Sequence, residues 1–401
     1  MCMDPRSSRG RTRLVALLAA CAGVLATTLP RAHKPVTSTY TYNEDVYPIF
    51  QTHCGQCHVD GGIAPMSLMR YEDAYPWAES IKEEILNLRM PPWHAAEGFG
   101  AFQHVQTLSA RELDMLVEWS LGGTPEGDRA NRPAPVTLDD EWPLGEPDLV
   151  VEMADVGGLP ADESQGERTY RLETGLEDGR WIESVDLRPG NPAIVREATI
   201  AWLGPGDGRT LLAAWLPGRA PVEHPGGAVM LPAGAVLELQ VRYRKTWTYE
   251  GLATEDRSAV GLYFSADDSP AELSRLVLAS PTIDVATLPP DGRIVFGRAI
   301  EADVEAVAIR PQLQSADLEV QVELVRPDAS REPMLRLERA PLDWPRRYWF
   351  EHPLAAPRGS RIEVTAHLDP DAAGSAAASA DEPMIRIWVD VVEAAGPGAG
   401  R

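Results

Sequence analysis

Between residues 42 and 121 the apolar positions recur at helical spacing. Val46, Ile49 and Phe50 fall on one face of a short helix that Asn43 can cap, although Pro48 weakens it. Asp73 opens a longer periodic stretch carrying Trp77, Ile81, Ile85 and Leu88, which must end before Pro91-Pro92. Ser109-Ala110-Arg111-Glu112 is a capping box, Leu113, Leu116 and Val117 form a buried stripe behind it, and Gly122-Gly123 ends the helix. Beyond Glu141 the period changes to short β-rich runs: 148–153, 193–203, 236–244, 259–264, 304–309, 318–325, 361–368 and 384–392. Turns such as Arg188-Pro189-Gly190-Asn191 and Leu288-Pro289-Pro290-Asp291-Gly292 separate them. About 250 residues of this texture are too many for one sandwich, so two are expected, with a break near Ser280-Pro281.

The chain opens differently. Arg6, Arg9, Arg11 and Arg13 precede an apolar run from Leu14 to Leu29, shorter than the ~18 apolar residues a spanning helix needs, so 1–32 are expected to be a signal peptide. Leu18-Ala19-Ala20-Cys21 resembles a lipobox, whereas Val24-Leu25-Ala26 suits an ordinary signal peptidase; both cleavages stay open. Cys2 is lost either way, leaving Cys54 and Cys57 as the cysteines that survive both. The expected products are a periplasmic protein or one lipid-anchored at a bacterial cell envelope, touching the membrane only through that anchor. The 37 basic and 60 acidic residues give a net charge of −23, which disfavours nucleic acid and suits a redox partner with a basic docking face.

Cys54-Gly55-Gln56-Cys57-His58 changes the picture most. A C-x-x-C-H run is a haem c attachment motif: two thiols three positions apart reach two vinyl groups on one porphyrin edge, and the next histidine becomes the proximal iron ligand. A thioredoxin-like dithiol and half a zinc site are weaker readings, because there is neither a βαβ pattern nor a second cysteine pair. Met90, before the stiff Pro91-Pro92-Trp93, is the favoured distal ligand, since a soft thioether suits an electron carrier. Met66 and Met69, or His94 and His104 in a bis-histidine arrangement, remain alternatives. His53 is expected at the surface or near a propionate, and Trp77 and Trp93 near the haem.

On these residues, together with Gly61-Gly62-Ile63-Ala64-Pro65-Met66 and Met90-Pro91-Pro92-Trp93, residues 40–128 resemble the cytochrome c domain fused to some bacterial copper monooxygenases. Those enzymes are similar to peptidylglycine α-hydroxylating monooxygenase. The resemblance implies a multidomain fold, an all-α cytochrome c domain followed by all-β tandem jelly-roll sandwiches. Residues 129–141 would be the linker, with the sandwiches at 142–280 and 281–395. Trp142 to Asp148, Arg188 to Asn191, Leu231 to Tyr243 and Asp256 to Phe264 carry the likeness into the first sandwich.

The family's copper-binding histidines, however, would fall on Val195-Arg196-Glu197-Ala198, Arg242-Tyr243 and Pro311-Gln312-Leu313-Gln314, none of which contains one. Met384 matches the family's methionine ligand, and after residue 140 only His224, His352 and His367 remain. Arg196 and Arg242 bring positive charge to the vacated place. Copper is therefore not expected, and no catalytic residue is assigned. The expectation is a haem-binding electron-transfer protein on a degenerate monooxygenase-like scaffold. An active copper monooxygenase fed by its own haem, and a haem-containing binding or sensor module, are the alternatives.

Overall fold

The computed structural model describes residues 37–134, 136, 138, 141–206, 208–218, 226–281, 289, 291–338, 346–368 and 383–394. The expected signal peptide, Cys2, Cys21 and His224 lie outside the described residues.

Among the described residues, α-helix is confined to short pieces in the first third: α1 (Tyr47–His53), α2 (Tyr71–Ala74), α3 (Ala78–Leu86) and α4 (Ala110–Leu121). Proline is the reason. Pro76 turns Tyr75–Trp77 into a 3-10 turn inside the stretch expected to be one long helix, and Pro65, Pro91 and Pro92 lie in non-helical chain. The four helices enclose a small core of Tyr42, Phe50, Leu116 and Trp119, but this is not the all-α cytochrome c domain that the sequence suggested. The molecule is mostly β-sheet. Among the described residues, no helix is long and apolar enough to cross a membrane.

The first sandwich has one sheet ordered β1-β10-β4-β7 (Leu149–Glu152, Ala259–Phe264, Arg180–Arg188, Val229–Leu231). Its second sheet runs β3-β8-β5-β6 (Gln165–Glu173, Val236–Arg244, Val195–Leu203, Arg209–Trp215). A small pair, β2 (Gly157–Leu159) with β9 (Thr254–Asp256), lies alongside. The second sandwich has one sheet ordered β11-β18-β13-β16 (Ser274–Ala279, Ile385–Glu393, Val304–Leu313, Tyr348–Ala356). Its other sheet is β12-β17-β14-β15 (Arg293–Ala299, Arg361–Leu368, Leu318–Val325, Arg331–Leu337). Neighbours in these sheets pair antiparallel, and apart from the consecutive pairs β5–β6 and β14–β15 they are distant in sequence, an arrangement compatible with jelly rolls.

Strict alternation drives the packing. On β8, Leu237, Leu239, Val241 and Tyr243 point inward while Glu238, Gln240 and Arg242 point out; on β14, Leu318, Val320, Val322 and Leu324 do the same. Each such buried aliphatic side chain contributes roughly 1.5–3 kcal/mol.

One segment ties the helical part to the second sandwich. Trp93, Ala95 and Phe102 belong to the second sandwich's core, and Trp93 meets Tyr348 edge-on at 5.3 Å. The backbone of the same segment extends both sheet edges, with Ala96 N donating to Arg336 O at 2.8 Å and Gln103 N to Trp349 O at 2.9 Å.

Candidate functional site

The C-x-x-C-H run begins where α1 unwinds. Cys54 N and Gly55 N both donate to Phe50 O, and His58 N donates back to Cys54 O at 2.8 Å, so the motif forms one compact turn. The following loop is pinned by Leu68 N donating to His58 O at 2.9 Å. Gly62 is required there: a Cβ would stand 2.5 Å from Cys57 O.

Cys54 and Cys57 are free thiols, half-buried beside Met66 and Met69. Burial pushes the Cys54 thiol up to about 12, with the neighbouring Cys57 adding to the shift. Burial also raises Cys57, to about 11, against the opposing charges of Arg196 and Arg346. Both thus stay protonated at neutral pH. His58 Nδ1 lies 3.1 Å from Met66 O; a carbonyl only accepts, so this nitrogen carries the proton and Nε2 presents a lone pair. Burial holds the His58 ring below its ordinary acidity range and keeps it neutral.

The other expected residues are distributed unevenly. Met69 is buried against the motif, its Sδ lying 3.0 Å from where a Cβ on Gly55 would stand. Met90 is half-buried in the stretch after α3, where its N–H donates to Glu84 O at 3.3 Å. Trp93 leaves for the second sandwich's core and Trp77 is exposed. His53 Nε2 pairs with Glu112 Oε1 at 3.2 Å, and His104 is exposed with a positive φ of 52°. His94 is half-buried, its Nε2 has no partner among the described residues, and burial followed by the charge of Arg346 pushes it down to about 4.

Both sandwiches reach the motif, which no sequence pattern announced. From the first, Pro217 O lies 3.7 Å from Cys57 Sγ, and Gly218, at φ 70°, approaches Gln56 so closely that a Cβ would sit 2.4 Å from that side chain. From the second comes Arg346, buried, donating to Pro92 O at 2.7 Å and lying over the Trp93 ring at 5.1 Å.

No protein-family model matches this chain. No curated protein matches it either. Among solved structures, the major capsid protein P2 of bacteriophage PM2 is similar at 10% identity, over 62% of this chain and 98% of that one, with a TM-score of 0.29. The CUB1-EGF-CUB2 domain of human MASP-1/3 follows at 10% identity, over 61% of this chain and 100% of that one, with a TM-score of 0.17. Bacillus subtilis oxalate decarboxylase is 7% identical over 67% of this chain and 87% of that one, with a TM-score of 0.13. Superpositions this loose carry no argument.

These findings correct the resemblance to cytochrome c–copper monooxygenase fusions. No family model supports it, and the structure shows neither a cytochrome c fold nor an assembled haem site. Among the described residues, no group of three or more His, Cys, Asp or Glu side chains could hold a metal ion. The positions read as vacated copper sites serve other ends. Arg242 Nε pairs with Glu197 Oε1 at 3.3 Å, Gln314 N donates to Met384 O at 3.0 Å, and Met384 is a core residue. His352 and His367 are exposed on separate sheets.

Proposed function

We propose that this chain is an exported electron-transfer protein holding one covalent haem through Cys54 and Cys57, with His58 as proximal ligand and Met90 as distal ligand. One observation carries the reading. Two unbridged thiols stand beside a neutral histidine whose Nδ1 is tied to a backbone carbonyl, so its Nε2 is oriented and available to a metal. A structural zinc role fits less well, because zinc takes four ligands and no group of three or more His, Cys, Asp or Glu side chains gathers among the described residues.

A haem bound here supplies reversible one-electron uptake and release. The chain's own part is to hold and insulate. Gly62 lets the loop close over the motif, Met66 O aims His58, and Pro217 and Arg346 cover the Cys57 side. The net charge of −23 suits docking of a basic redox partner. The sandwiches serve as scaffold for that encounter.

Production alongside a haem-attachment apparatus tests the proposal. The purified chain should be red and keep its haem after denaturing electrophoresis, and Cys54→Ala with Cys57→Ala should release it. Met90→Ala should abolish the thioether-to-iron charge-transfer band without loss of covalent haem. A colourless wild-type chain from a host that loads other haem proteins defeats the reading.

A further inference from the structure

The outer face of sheet β11-β18-β13-β16 is laid against β6 of the first sandwich, and arginines crowd that seam. Asp390, fully buried, accepts from Arg275 Nε at 2.7 Å and pairs with Arg347 Nε at 2.7 Å. The same two arginines cross the seam, Arg275 donating to Leu211 O and Arg347 to Leu212 O, both at 3.2 Å. Register places Arg310 opposite Trp388 on the adjoining strand, and its guanidinium lies over that ring at 4.6 Å, with Arg386 at 5.6 Å from the same ring.

Arg310 has an aromatic face but an unsatisfied nitrogen. Its Nε is buried and meets no acceptor among the described residues. Its charged neighbours are Arg275, Arg347 and Arg209 against the single carboxylate of Asp390. Arg209 already serves Glu238 at 2.6 Å, and Asp390 is shared by the other two. Burial, then these like charges, bring the Arg310 guanidinium down to about 10. A planar donor fork held by an aromatic face, half-buried and beside other cations, suits an oxyanion.

We propose that this seam binds a small multivalent oxyanion, of the phosphate or dicarboxylate kind, with Arg310 as its principal donor. The site is independent of the haem reading, which concerns residues 54–58 and 90. Generic attraction is not the cause, since a chain with 60 acidic and 37 basic residues repels anions overall. A bound anion would neutralise the local excess of positive charge and clamp the two sandwiches together.

The experiment is thermal unfolding and calorimetric titration of the full chain in chloride buffer, with inorganic phosphate and malonate as separate probes. Wild type should bind one probe saturably and melt higher in its presence. Arg310→Gln should weaken that binding at least tenfold, yet melt no lower than wild type without anion, because a half-buried cation repelled by its arginine neighbours has been removed. Arg310→Lys, which keeps charge but loses the fork, should bind with intermediate affinity. Arg331→Gln, on the other sheet, should match wild type in binding. Absence of saturable binding to wild type, undiminished binding by Arg310→Gln, or equal loss in Arg331→Gln would each overturn the proposal. So would an Arg310→Gln chain that melts well below wild type in anion-free buffer, since the arginine would then be only a structural clamp.

Discussion

Asp186 shows how one side chain sets a property of the whole chain. It is buried on β4 opposite Gly261, with the N–H of Leu187 as donor at 2.8 Å. Burial pushes its carboxyl up from 3.8 to about 7. The folded chain therefore keeps this proton where the unfolded chain has lost it, so stability falls as pH rises from about 4 to about 7 and is level above that. Three pH units correspond to a span of up to about 4 kcal/mol. Asp186→Asn should flatten this slope and leave the chain more stable than wild type at pH 8, as urea midpoints across pH will show. Nothing in the alternation of β4 singles out this residue, because a polar residue in a strand is ordinarily a solvent-facing one. Cys54, Cys57 and His58 are the opposite case: spacing alone made them candidates, and the tie from His58 to Met66 gives that spacing a geometry.

At the level of elements, α4 is the piece most fully legible in the chain. Ser109 accepts from Glu112 N, and Glu112 answers to Ser109 N at 2.8 Å, the reciprocal pair expected from the residues. Ser109→Ala should cost about 1 kcal/mol, seen as a lower denaturant midpoint with an unchanged slope. The eight β-rich runs named from the sequence all carry strands, since alternating burial leaves a mark at every second residue. Those runs do not cover β2, β3, β4, β6, β7, β9, β11, β12, β15 and β16. On β3 the inner positions before Leu172 are only half-buried, and on β16 Glu351, His352 and Pro353 are exposed in succession, so the mark is faint. The long helix expected from Asp73 breaks at Pro76, where local sterics override the wider apolar period.

For the molecule as a whole, the seam between the sandwiches and the strap of residues 93–103 make one assembly of parts that composition divides. Asp390→Ala removes the buried carboxylate that Arg275 and Arg347 share at the seam. It should cost about 3–5 kcal/mol and lower the melting temperature. Arg310→Gln, one strand away, should not. Arg346, held against Pro92 and Trp93, and Pro217, against Cys57, bring both sandwiches to the cysteine motif. A redox centre there would sit beneath both sandwiches, not on a tethered domain of its own.

What the sequence by itself determined was local: the capping box, the alternating strands, the proline breaks and the C-x-x-C-H spacing all act within a few residues of chain. Only the tertiary structure decided that the helices form no all-α domain, that β11 (Ser274–Ala279) joins the second sandwich, and that five arginines face one another across a seam. The reason is physical. Local preferences are energies between neighbours in the chain, whereas burial, charge crowding and sheet order arise between residues that folding alone makes neighbours.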